Sequence, residues 1–502
     1  MAMFTARSST GPCWTSCHEP PGSSQGESRS AQNGVAPVNA TARLLQSHRP
    51  GDEPLRVLSA SGQLGYGIPE DAFRRGMAHA PHVIGCDMGS IDPGPYYLGA
   101  GVMAAPESMV ERDLELVLCA AREADVPLII GSAGTAGAGV HLDATLAIVQ
   151  RIVARRGLRL RLATIRSDIP AAQVVSALHA GALDAIGAID QPSPDAIEAC
   201  SHIVGQCGTE TFERALALDP DVVIAGRACD TAIFATLPAM LGYPLGLCLH
   251  MAKIIECTSL CCRPGGRDAM LAELTLAHFT LASMNPDAHA TPASVAAHAL
   301  YEQADPLQVE EPGGSLMLHD AWYEALDAHR TRVGGARFLP RERPSLKVEG
   351  ASWLGERVVL LAGVADPVLL RVLPQAIAEV EQRVRTLVAG DWQLFAHVYG
   401  QGAVRELAPA LQATHEAGLV LEFIAPQAAL ARTAAGVFKQ NLLHHAYPGR
   451  IATGGNLAFA FTPSEIDAQS AYRFVLYHVM RDAPLDMLFP VAATDLDGRS
   501  HH

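Results

Sequence analysis

Charge is scarce in this chain. Asp, Glu, Lys and Arg make up 18% of its 502 residues, where about 25% is usual for soluble domains. What charge there is leans acidic, with a formal net charge of -15. That balance excludes a broad nucleic-acid footprint, although a local arginine cluster can still hold an acidic substrate. Apolar runs of 18 or more residues are missing, so no membrane span is expected. A secretory n-region and h-region are missing too. The 11 cysteines are spread thinly and form no C-x-x-C pair. This excludes a disulfide scaffold and a paired-cysteine zinc site, and leaves a reduced, cytoplasmic setting as the expectation. Neither G-K-[ST] nor the G-x-G-x-x-G spacing occurs after a strand, so there is no nicotinamide or flavin fingerprint. The G-x-S-x-G elbow of esterases is also lacking.

What is present is apolar residues, at 49%. Over this length they can fill the cores of two or three domains, and they also suit a homo-oligomer that hides further surface. Residues 1–52 are rich in Ser, Gly, Pro, Gln and Ala and are read as a disordered leader. From residue 53 six short apolar runs follow: LRVLSAS, PHVIGCDMGS, VPLIIGSAG, LRLRLATIRSD, LDAIGAID and PDVVIAGRACD. Between several of them lie amphipathic stretches such as MVERDLELVLCAAREAD and LDATLAIVQRIVARRG. Apolar strands alternating with such helices predict an α/β domain over 53–335, with a parallel sheet of doubly wound type. Residues 336–502 change character. SLKVEGASWLGERVVLLAGV reads as a hairpin, PQAIAEVEQRVRTLVAG as a helix, and WQLFAHVYG and LVLEFIAP as strands. These predict a smaller α+β domain.

The residues with chemistry cluster where the predicted strands end, the edge at which open α/β sheets hold ligands. Ser61 and Gln63 follow the first run, Asp87 and Asp92 the second, Ser132 and Thr135 the third, Arg227 the last. The glycine loop IGSAGTAGAG offers successive side-chain-free N–H groups, an anion nest in the making; a tight, closely packed connection explains it equally. Asp87 and Asp92 read either as ligand groups or as loop caps. Arg227 reads either as a two-bond clamp for a carboxylate or as the partner of Asp230. Farther on, HMAKIIECTSLCC places His250, Lys253 and Glu256 at helical three-residue spacing, as candidates for proton transfer. A divalent metal stays open as a cofactor, with Asp87 and Asp92, or His250 with Glu256, as candidate ligands. In the second glycine loop, PGRIATGGNLAFAF, Arg450 and Asn456 are candidates to close over an acidic substrate, or alternatively to cap their own loop.

With SGQLGYG, CDMGSIDPGPYYLG, IGSAGTAGAG, HMAKIIEC, LKVEGA and PGRIATGGNLAFAFTPSEID in this order, the chain resembles the acyclic terpene utilisation AtuA-like family. HMAKIIECTSLCC stands where that type has a Gly- and Gln-containing stretch, so a side branch with another substrate is expected. The resemblance implies a role in carboxylic-acid catabolism through CoA thioesters. Joined to the candidate acids, bases and anion loops, it favours a lyase or hydratase acting on a small carboxylic acid or its acyl-CoA thioester. Two alternatives stand beside it. One is a hydrolase of an amide, lactone or thioester; the other is a non-catalytic subunit that binds an acyl ligand for a partner enzyme.

Overall fold

The computed structural model describes residues 39–301, 305–405, 414–451 and 453–499. Helix α1 (Ala40–Ser47) precedes β1 (Leu55–Ser61), α2 (Glu70–Ala78), β2 (Val83–Asp87), α3 (Pro95–Ala100), α4 (Glu107–Ala124), β3 (Leu128–Gly131), α5 (Gly139–Arg156) and β4 (Arg159–Ile165). Then come α6 (Ala171–His179), β5 (Leu183–Ala185), α7 (Pro194–Glu198), β6 (Cys200–Gly205), α8 (Thr209–Leu216), β7 (Val222–Ala225), α9 (Asp230–Met240) and α10 (Leu245–Ile255). The middle holds β8 (Met270–Leu274), β9 (His278–Ser283), α11 (Pro292–Ala299), β10 (Gln308–Glu311), β11 (Gly314–Met317), β12 (Trp322–Ala325), β13 (Arg330–Gly334) and β14 (Arg337–Pro340). The last part is β15 (Ser345–Val364), α12 (Pro367–Leu387), β16 (Gln393–Tyr399), β17 (Ala417–Ala425), α13 (Ala428–Leu443), β18 (Glu465–Arg481), α14 (Leu485–Leu488) and β19 (Val491–Asp497).

Ten strands form one mixed sheet in the order β12-β13-β9-β8-β1-β2-β3-β7-β4-β19. Only β1-β2-β3-β7-β4 run parallel. Antiparallel strands flank them on both sides, which corrects the expectation of a parallel sheet throughout. Neighbouring strand residues feed opposite faces. Ile84, Cys86, Leu128 and Ile130 join α4 and α5 in one core, while Val83, Ile129, Val223 and Ala225 join α8, α9 and α10 in the other. The helix after β3 and the helix after β7 therefore lie on opposite faces. Their strands are neighbours, so the C-terminal ends of β3 and β7 form the switch point, the crevice at which sheets of this topology bind ligands.

The smaller region is a six-stranded antiparallel sheet in which β16-β17-β15-β18-β5 are consecutive and β6 also pairs with β15. Its core lies between β15, β17 and the helices α12 and α13. Three sequence expectations change here. SLKVEGASWLGERVVLLAGV is one 20-residue strand rather than a hairpin; register shifts at Gly350/Ala351 and Trp353/Gly355 bend it without a turn. LDAIGAID pairs with β18 and not with the large sheet. The chain end, β19, runs back to pair with β4. Strands thus pass between the two sheets, and the described residues form one compact unit. The reading of 1–52 as a leader also stops short, because α1 buries Ala40, Thr41 and Leu44 and Asp221 accepts the Ala40 amide at 2.9 Å. Residues 1–38 lie outside the described residues.

Candidate functional site

The loops that follow the parallel strands meet at the crevice. Leu64 N–H donates to the Asp87 carbonyl, and Met88 N–H to that of Gly131. Gly62 lies against the end of α10, where a Cβ would stand 2.8 Å from the Glu256 carbonyl oxygen. In the glycine loop, Ser132 and Ala133 donate their amides to Gly226 and Ala225, and Gly137 donates to Ala133. Gly137 has φ +68°, and a Cβ on it would come 2.1 Å from the Arg227 nitrogen. The Ser132 and Ala133 amides are spent on the neighbouring strand loop and that of Gly137 within its own loop, and Gly137 packs closely in the crevice wall.

Above that wall lies a buried net of charges. Arg227 is buried and gives Nε to Glu349 Oε2 at 2.9 Å and Nη2 to Glu349 Oε1 at 3.2 Å. Its Nη1 reaches the Gly89 carbonyl at 3.4 Å and Ser132 Oγ at 3.2 Å. Glu349 comes from β15, and it also meets Lys347 Nζ and Gln206 Nε2, each at 3.2 Å. Burial pulls the Glu349 carboxyl upward, but Arg227 and Lys347 outweigh it and hold it ionised, below the usual carboxylate range. The fork of Arg227 is therefore given to Glu349, not to Asp230 and not to an open mouth.

One step away, Lys253 Nζ stands 2.7 Å from Glu256 Oε1, both side chains buried, and 4.8 Å from the centre of the Tyr301 ring. Burial pushes the Glu256 carboxyl up to about 8; Lys253 opposes the shift and the charge of Asp230 adds to it. The Asp87 carboxyl is also raised well above its ordinary range, first by burial and then by Asp230, against the pull of Arg227. Its Oδ1 is buried and has no hydrogen-bond partner. Asp230, at the first turn of α9, is itself raised by burial while Arg227 and Lys253 pull it down. Beside it, Glu311 accepts from Thr231 at 2.8 Å, and burial pushes its carboxyl to about 7. This set can store protons near neutral pH and hold fixed positive charge beside them.

Of the residues expected from sequence, Asp87, Ser132, Arg227, Lys253 and Glu256 come together here. Ser61 is buried at the rim, accepting from the Gln63 amide, and Gln63 is exposed. Asp92 is exposed and its own amide bonds Ser90. Thr135 Oγ accepts from Ala104 N–H, which ties down the loop. His250 stands apart: its ring packs edge-on against Phe279 and Tyr323, Nε2 meets the Tyr323 hydroxyl at 3.1 Å, and burial pushes its pKa down to about 3. It is a neutral core histidine. Arg450 donates to the carbonyls of His444, His445 and Gly454, and Asn456 to those of Leu442 and His445. Both close the end of α13. Lys347, Glu349, Glu311 and the role of Asp230 escaped the sequence reading. Lys347 and Glu349 do share one face of a strand by two-residue spacing, but such a pair ordinarily reads as a solvated face. A groove of 810 Å³ across α2 and α4 is lined by none of these residues.

A candidate cation site lies elsewhere. His48, Glu53 and His82 bring ligand atoms within 4.8 Å of one another, a donor set suited to a divalent metal. Arg56 now holds Glu53 at 2.9 Å and His82 Nε2 at 3.0 Å, so a cation has to displace that guanidinium. His82 sits before β2 and Asp87 ends it. At about 3.3 Å per residue the two are roughly 16 Å apart, so a metal here is remote from the charge net.

A family model, acyclic terpene utilisation family protein AtuA, matches residues 106–266. The match associates the chain with that family over less than half its length, spanning the glycine loop, Arg227, Lys253 and Glu256. No match was found among curated proteins or among solved structures. Among the described residues no helix is long and apolar enough to cross a membrane.

Proposed function

We propose that the chain is a lyase of hydratase type acting on a small carboxylic acid or its acyl-CoA thioester. The observation that carries this reading is a proton-holding carboxyl, Glu256, set against a buried ammonium, Lys253, at the switch-point crevice. Elimination of water beside a carbonyl needs one group to take the α-proton, one to protonate the departing hydroxyl, and a positive charge for the enolate. In this reading Asp87, in its ionised form, takes the α-proton. Lys253 faces the enolate oxygen. Glu256 gives its proton to the hydroxyl, which leaves as water; the reverse steps add water across the double bond. Arg227 is spent on Glu349, which Lys347 also meets, so Lys253, beside the protonated Glu256, is the cation for an acidic substrate. The thioester form of the substrate rests on the family association alone.

The test is turnover of a panel of α,β-unsaturated acids and their CoA thioesters, followed by loss of the conjugated absorbance. Glu256→Gln keeps shape and removes the proton donor; it should lower the rate by about 10²–10⁴-fold with binding retained. A variant as active as the parent, or a panel without any turnover, overturns the reading.

A further inference from the structure

An outer strand of a sheet presents a row of unpaired N–H and C=O groups, and proteins usually defend it with charge, proline, a bulge or brevity. Most edges here are defended. β5 has three residues. β14 ends on Pro340. β10 and β12 carry Glu310 and Glu324, each paired with an arginine. β19 carries Asp495 and Asp497, paired with Arg161 and Arg159. β16 is different. Its seven residues, QLFAHVY, include no Lys, Arg, Asp, Glu or Pro. Its register with β17 runs from Gln393 to Tyr399 without a shift, and among the described residues its other edge is unpaired.

Both faces of β16 carry large apolar side chains. Leu394 and Val398 lean on the core beneath α12 and α13. Phe395 and Tyr399 stand on the open face, 42% and 49% exposed, with His397 between them bonded to Glu422 at 2.7 Å. A strand without formal charge, on a chain of net charge -15, is where two copies meet with least repulsion. We infer that two copies of this chain pair β16 with β16 antiparallel across a two-fold axis centred at Ala396. That register sets Leu394 opposite Val398, continuing the helix-covered core from one copy into the other. It also sets Phe395 opposite His397 and Gln393 opposite Tyr399, cross-strand pairs of the kind that stabilise sheets. A self-complementary contact of this type closes at the dimer.

The experiment is the mass of the full chain in solution by light scattering at micromolar concentration, beside the double variant Gln393→Lys with Tyr399→Lys. Both positions are exposed, and the substitutions put lysine opposite lysine at each end of the pairing. The parent should run at twice the chain mass, and the variant should dissociate at least tenfold more readily with its melting temperature unchanged. Ala396→Cys supplies a second measurement: the two-fold places residue 396 opposite itself, so mild oxidation should give a covalent dimer that the parent does not form. A monomeric parent, a dimer indifferent to both lysines, a ladder of larger species, or no covalent dimer from Ala396→Cys overturns the inference.

Discussion

At the residue scale, two buried groups titrate in opposite directions. His250 has a folded pKa near 3, below its ordinary 6.5, so the unfolded chain binds the extra proton first. Its stabilising contribution is whole above pH 6.5 and is lost as pH falls toward 3. His250→Gln keeps a partner for Tyr323 and removes the titration. Between pH 6.5 and 5 the parent should lose about 2 kcal/mol relative to that variant, read from chemical denaturation at each pH. Glu256, raised to about 8, behaves the other way. The folded state keeps the proton that the unfolded chain releases near 4.5, so stability drops as pH rises between those values. If protonated Glu256 is the acid of the reaction, activity also falls as pH climbs through about 8, and a rate profile flat to pH 9 would remove Glu256 from that role. The two arginines singled out by sequence should separate cleanly. Arg227→Leu leaves the buried Glu349 carboxylate with Lys347 and Gln206 alone and should cost about 3 kcal/mol or more. Arg450→Leu loses partly exposed loop bonds and should cost about 1 kcal/mol.

At the element scale, helix α1 marks where the leader reading fails. Its composition resembles the residues before it, yet Leu44 is buried and Asn39 bonds the Asp219 carbonyl. Burial of Leu44 alone is worth about 2 kcal/mol. A chain starting at Asn39 should therefore melt with the full chain, while one starting at Glu53 should melt several degrees lower in a thermal scan. Equal melting temperatures would show α1 to be an ornament. The helices α4, α5 and α12 were legible because their apolar residues recur at helical spacing over three or more turns. Strand β15 was misread because its glycines look like turn residues, and only the facing strands β6, β17 and β18 reveal that they are bulges.

At the scale of the whole molecule, the two sheets are not separable. Glu349 reaches Arg227 only because β15 pairs with β6, and the large sheet is completed by β19 from the chain end. Residues 39–335 alone should then fail to unfold in one sharp transition and should expose apolar surface to a reporter dye. A sharply melting fragment would show the large region to be self-sufficient. The sequence by itself determined the parallel strands, the helices α4 and α5 between them, and the placing of Asp87, Ser132 and Arg227 at strand ends, since apolar periodicity and turn residues are local signals. It also singled out Lys253 and Glu256, whose three-residue spacing brings them onto one helical face. Only the tertiary structure decided which of these groups meet. His250 shares the helix with Lys253 yet faces an aromatic pocket, and Glu349 arrives from more than a hundred residues away. Burial and distant charge set the proton affinities at the crevice, and neither is written in local sequence.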